Sequence, residues 1–115
     1  MSAAPKAFAK PVPKPPAPAL RDDKTCELAD MFKMLGDPTR LRIVIATLEG
    51  PVAVTDIAGR LGLSISLVSH HLRLLRAARL VTPDRRGKQV FYRIHDRHVA
   101  HVISDMIAHV NEDVE

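Results

Sequence analysis

Four interruptions govern what this chain can fold into. Gly36-Asp37-Pro38, Gly50-Pro51, Gly62 and Gly87 break an apolar pattern that otherwise runs at helical spacing. Glycine enters left-handed conformations and proline cannot continue a helix, so each break ends one element or starts the next. The apolar residues Leu28, Met31, Phe32 and Leu35 share one face of a first helix that begins near Asp22 and stops at Gly36. Asp37 is an N-cap with Pro38 at the first helical position, so a second helix starts there. It is expected to bury Leu41, Val44, Ile45 and Leu48 before Gly50-Pro51 ends it.

Beyond that break, Thr55 is the expected cap of a short third helix over 56–61, with Ile57, Ala58 and Leu61 inward and Gly62 as the turn residue. Ser64 or Ser66 caps the next helix, with Leu67, Val68, Leu72 and Leu75 on one side and Ser69, His70, Arg73 and Arg76 largely on the other. A short helix, a glycine-containing turn and a second helix make a helix-turn-helix. After Leu80 the period shortens. Val81-Thr82 and the alternating run Gln89-Val90-Phe91-Tyr92-Arg93-Ile94 read as two strands around a basic tip over 83–88, a wing. A last helix runs from about Asp96 to Glu112. The fold class is mostly α with a small β-hairpin: a single winged helix-turn-helix domain over 21–115.

Residues 1–20 differ from the rest. They hold six of the nine prolines, three lysines and no acidic residue, which leaves too little apolar surface to offset ordering entropy. The segment reads as a disordered tail, either merely solvated or a non-specific arm toward phosphates. Aromatic residues are 3% of the chain against 46% hydrophobic, so the core must be aliphatic. One cysteine, Cys26, excludes an intrachain disulfide framework and a thiolate-rich zinc cage. No stretch reaches the roughly 20 apolar residues of a membrane span, and no apolar signal core stands near Met1. A cytoplasmic location without membrane contact is expected.

The net charge of +4 suits an anionic partner, and its placement is informative. On the helix-turn-helix, Ser64, Ser66, Ser69, His70 and Arg73 offer short donors for phosphates and base edges and a guanidinium for guanine. Arg76, Arg79, Arg85, Arg86 and Lys88 extend a basic zone over the helix and wing. His71, on the seam of the polar and apolar faces, reads as a packed histidine. Double-stranded DNA is the expected partner.

Four of the six histidines, His95, His98, His101 and His109, lie in or beside the last helix with Asp96, Asp105, Glu112 and Asp113. At about 100° per residue, His98, His101, Asp105, His109 and Glu112 fall in a stripe about 80° wide. Val99, Val102, Ile103, Met106, Ile107 and Val110 form an apolar arc beside it, which predicts packing on a symmetry mate. Asp96 with His98, and His109 with Glu112, make two chelating pairs. Their histidines are about 16 Å apart along one helix, so one chain cannot close a tetrahedral site from both pairs. Two antiparallel copies would form two equivalent sites of two imidazoles and two carboxylates, a set suited to zinc. An intrachain set of His101, Asp105 and His109 is the competing arrangement. No Ser, Cys or Glu constellation reads as a nucleophile or base and a fourth protein ligand would close the metal, so neither an enzyme nor a small-molecule substrate is expected.

The segments Leu35-Gly36-Asp37-Pro38-Thr39-Arg40-Leu41-Arg42 and Leu67-Val68-Ser69-His70-His71-Leu72, with the Asp-x-His and His-x-x-Glu pairs, resemble the ArsR/SmtB family of metal-responsive winged-helix repressors over about residues 22 to 112. The resemblance implies a homodimer, joined through its terminal helices, that binds operator DNA when metal-free and leaves it when zinc fills the site. The alternative is a winged-helix repressor that responds to cobalt or nickel, or to no metal. Other members carry a cysteine-containing site where this chain has Val52-Ala53-Val54-Thr55-Asp56, without cysteine. Thiol-based sensing is therefore not implied, and Cys26 is expected to be structural or incidental.

Overall fold

Residues 19–112 are described by the computed structural model. Of the tail expected over 1–20, all but Ala19 and Leu20 lies outside the described residues, as does Asp113. Helix α1 (Asp22–Leu35) places Asp22 and Asp23 in its first turn and Lys33 in its last, matching charge to the helix dipole. Asp37 then accepts the Arg40 backbone N–H at 3.0 Å and starts α2 (Pro38–Ala46). The Arg40 Nε donates to the Met34 carbonyl at 2.9 Å, satisfying a terminal carbonyl of α1. One side chain thus ties the two helices together.

Helix α2 is rotated from the expected face. Ile43 and Val44 are fully buried, Leu41 and Leu48 are half-buried and Ile45 is exposed. The helix has two apolar sides: Ile43, Val44 and the buried Thr47 enter the core, while Leu41 and Ile45 border a groove shared with α1 and the last helix. Thr47 is tolerated in the interior because its hydroxyl donates to the Val44 carbonyl at 2.7 Å.

A two-residue strand, β1 (Val52–Ala53), was not anticipated. It runs directly into α3 (Val54–Leu61), whose N-cap is Ala53 without a side-chain bond, so Thr55 lies inside the helix and is not its cap. Gly62 takes φ 67 and lets the Leu63 N–H reach the Ala58 carbonyl at 3.0 Å, a left-handed helix stop as expected. Ser64, not Ser66, caps α4 (Ile65–Ala77) through the Leu67 N–H at 3.1 Å. Val68, Leu72 and Leu75 are fully buried, whereas Leu67 stays 40% exposed. After α4, Arg79 adopts φ 62, a conformation usually left to glycine, and the Leu80 N–H bonds back to Leu75 at 2.9 Å. The turn drives Leu80 into the core.

Strands β2 (Val81–Arg86) and β3 (Gln89–Ile94) form the wing, in the sheet order β1-β3-β2. Strand β2 runs through Pro83 to Arg86, so the tip is only Gly87-Lys88 and not the whole of 83–88. Proline is accommodated because β2 is an edge strand. Helix α5 (Arg97–Val110) starts from Asp96, whose carboxylate accepts the Val99 N–H at 3.0 Å. Its apolar arc divides in two: Ile103 is buried with Val99 and Ile107 packed beside it, while Val102, Met106 and Val110 point outward at 47%, 56% and 76% exposure. No described helix is long and apolar enough to cross a membrane.

Candidate nucleic-acid interface and metal-ligating helix

The exposed side of α4 carries Ser66, His70, Arg73 and Arg76, all open to solvent, with Ser69 half-buried at its edge. Ser64 is partly committed: its oxygen accepts the cap bond, and its hydroxyl proton is left to donate. Next to His70, the His71 ring sits at 5.7 Å centroid separation, half-buried, with Nδ1 shut off from solvent and without a partner. Burial lowers its pKa, the Arg40 guanidinium lowers it further, and Asp37 opposes both. His71 is therefore a neutral packing residue at physiological pH.

Register divides the wing's cations. Residues opposite one another in a ladder share a face, so Asp84, Arg86, Gln89 and Phe91 stand on one side. Arg85 stands on the other, with Pro83, Val90 and the buried Tyr92. Arg85 and Arg86, grouped together by the sequence, leave the sheet in opposite directions. Arg86 is also held: its Nε and terminal nitrogen each lie 3.1 Å from Asp84 Oδ2, and its guanidinium carbon stands 4.7 Å from the Phe91 ring centre. The Asp84-x-Arg86 spacing on a strand is the signal that could have revealed this pairing. Arg79 is drawn toward α1 by a 3.7 Å ion pair with Glu27. Among the described residues, Arg73, Arg76, Arg85 and Lys88 are exposed with no acidic partner within 4.0 Å.

On α5, His98, His101, Asp105 and His109 are exposed, as is Glu112, which lies two residues beyond the helix end at Val110 and not within the helix as expected. Among the described residues, no three His, Cys, Asp or Glu side chains of one protomer come together as a metal cage, so the intrachain set His101, Asp105 and His109 is not assembled. The donor chemistry nonetheless fits a metal: two imidazoles and two carboxylates, exposed, at opposite ends of one helix. The Asp96 carboxyl is held below the usual carboxylate range, chiefly by the Val99 N–H and then by His98 and His95, against a small cost of burial. His95 is half-buried and engaged elsewhere, its Nδ1 hydrogen-bonded to the Thr82 hydroxyl at 3.0 Å. Cys26 is exposed on α1.

Residues 37–82 match the family described as "Bacterial regulatory protein, arsR family", a segment running from the α2 cap to the first residues of the wing. The chain is 38% identical over 96 residues to the HTH-type transcriptional regulator NmtR of Mycobacterium tuberculosis, spanning 84% of this chain and 79% of that one. This protein belongs to the arsR family of bacterial regulatory proteins. It is 36% identical over 101 residues to the HTH-type transcriptional repressor SmtB of the same species, covering 88% of this chain and 72% of the relative. A homodimeric winged helix-turn-helix DNA-binding domain from Mycobacterium bovis, solved in solution, superposes with a TM-score of 0.73 at 28% identity, over 80% of this chain and 88% of that one. Membership makes the chain a DNA-binding transcriptional regulator and not an enzyme, and the architecture is a winged helix-turn-helix.

Proposed function

We propose that this regulator is a cytoplasmic homodimeric repressor that holds operator DNA when metal-free and leaves it when zinc is bound between its two α5 helices. Asp96 and His98 of one protomer would face His109 and Glu112 of the partner subunit, and the two-fold axis would repeat the set. The observation that carries this reading is the split arc of α5. One side of the helix is anchored to its own core by Ile103, while Val102, Met106 and Val110 stay bare beside the exposed histidine stripe. Phe32 and Ile45 complete a continuous apolar surface with them across α1 and α2. A self-complementary patch of that kind fits a two-fold interface.

Toward DNA, α4 enters the major groove with Ser66, Ser69, His70 and Arg73, with Ser64 donating from the cap. Arg76, Arg85 and Lys88 contact flanking phosphates from the helix end and wing, while Arg86 reaches one only when released from Asp84. A metal ion held by Asp96, His98, His109 and Glu112 would supply a fixed link between protomers. The chain's own residues must convert that link into a change of affinity, which requires that the ligated and DNA-competent dimers differ in protomer orientation.

The test is fluorescence anisotropy of a duplex enriched from a random library by the metal-free protein, titrated with zinc, cobalt and nickel in parallel. His98→Ala and His109→Ala are expected to keep metal-free binding and lose metal-driven release, and His101→Ala to behave as wild type. Release of His98→Ala at the wild-type zinc concentration would overturn the bridging site. Equal loss in His101→Ala and His109→Ala would instead support the set within one chain.

A further inference from the structure

Nine large apolar side chains among the described residues are exposed, and seven of them are on or next to α1, α2 and α5. The other two, Ile65 and Leu67, are on α4. No residue of α4 lines either of the apolar grooves along α1 and α5, so burial between two copies through those grooves does not account for this pair. Ile65 is the more open, at 53%, and it is the first residue of α4, directly after the Ser64 cap. Ser69 and Arg73 follow it at successive turns along the same flank.

A bare branched aliphatic on a DNA-facing surface of serines, histidine and arginine gains by burial only against a partner that is itself apolar. In the major groove of DNA one base-edge group is apolar: the C5 methyl of thymine. Recognition helices meet base edges with their N-terminal residues, which is where Ile65 stands. We infer that Ile65 is a specificity-determining residue that packs on a thymine methyl in each half-site, beside the hydrogen-bonding contacts of Ser69 and Arg73. The inference rests on the DNA-binding surface proposed above and adds to it a base that the polar residues alone do not select. Leu67 lies on the opposite flank of the helix and is not part of the assignment.

The experiment is selection from a random-sequence duplex library with metal-free wild-type protein, Ile65→Ala and Ile65→Val, followed by deoxyuridine scanning of the enriched duplex. Deoxyuridine removes only the methyl. Because Ile65 is more than half exposed and outside the core, both variants should melt with the wild type. Wild type is expected to fix thymine at one position of each half-site and to lose about fourfold in affinity per methyl removed, about 15-fold for both. Ile65→Val should keep most of that sensitivity. Ile65→Ala should bind the two duplexes equally and no longer fix the thymine. If Ile65→Ala enriches the same thymine with the same deoxyuridine penalty, the assignment is wrong while the DNA-binding surface stands. If wild type enriches no sequence, that surface is wrong and the assignment falls with it.

Discussion

Replacing Met106 with alanine tests the two-fold interface at a residue that does nothing else. Its side chain is 56% exposed in the single protomer, and it lines the groove shared by α1, α2 and α5 without reaching the buried core. Complete burial of a methionine stabilises by about 1.5–3 kcal/mol, so the open half has about 1 kcal/mol left to gain after allowing for the alanine that replaces it. A two-fold interface repeats the change, giving about 2 kcal/mol per dimer, or about 30-fold in the dimer dissociation constant. Sedimentation equilibrium in chelator should show the wild type dimeric at micromolar concentration and Met106→Ala dissociating at correspondingly higher concentrations. Ile65→Ala, of similar exposure but on α4, should leave the constant unchanged. A shift below threefold for Met106→Ala, or a monomeric wild type, would refute the interface.

Two further outcomes follow from the wing and from His71. Asp84→Asn should free the Arg86 guanidinium from its carboxylate and steepen the salt dependence of DNA binding by about one phosphate equivalent, whereas Lys88→Ala should flatten it by about as much; unchanged slopes in an anisotropy salt series would show that the ion pair does not govern Arg86 on DNA. The His71 pKa is lowered in the fold, so the unfolded chain takes up a proton first as pH falls below about 6.5, and the fold loses stability until the lowered value is passed. Urea unfolding at pH 7.5 and 5.5 should therefore show a larger loss for wild type than for His71→Gln, and equal losses would contradict it.

Much of the architecture is legible because its punctuation is chemical. Asp37 before Pro38, Ser64 before Ile65, Asp96 before Arg97 and Gly62 after Leu61 each perform at the backbone the role their side chains permit. Periodicity is less informative about who buries whom. It marks Ile45 as apolar but cannot say that this residue stays exposed in the protomer, so α2 was expected to bury it; on α5 it predicts packing on a symmetry mate without saying that Val102, Met106 and Val110 are the half of the arc left exposed. Strand β1 was hidden because two residues show no alternation, and its place is set by pairing with Tyr92 and Phe91 far along the chain. The wing tip was drawn too wide because Pro83 and Gly87 both read as turn residues, although only Gly87 takes a positive φ. The division of Arg85 from Arg86 follows from register, which depends on where the hairpin turns.

On the proposed function, the unequal anchoring of the DNA-facing and α5 surfaces would give this molecule its capacity to respond. The DNA-facing unit is embedded: α3 and α4 together place Ile57, Ala58, Val68, Leu72 and Leu75 in the core. Helix α5 contributes only Ile103 as a buried residue, with Val99 and Ile107 partly buried beside it. At its entry, the His95 N–H bonds to the Leu80 carbonyl at 3.0 Å and the His95 ring to Thr82, so the segment leading into α5 is fixed to the turn between α4 and β2 and to the wing. The rest of the helix leaves Val102, Met106 and Val110 to be covered from outside. Rearranging the helix-turn-helix internally would disrupt a fully buried aliphatic core, whose individual large side chains are each worth about 2–5 kcal/mol when truncated. Turning one protomer against the other costs only the repacking of half-exposed side chains. Whatever binds along α5 therefore acts most easily on the relative orientation of two intact DNA-reading units, and spacing between successive major grooves is the property that such a rotation changes.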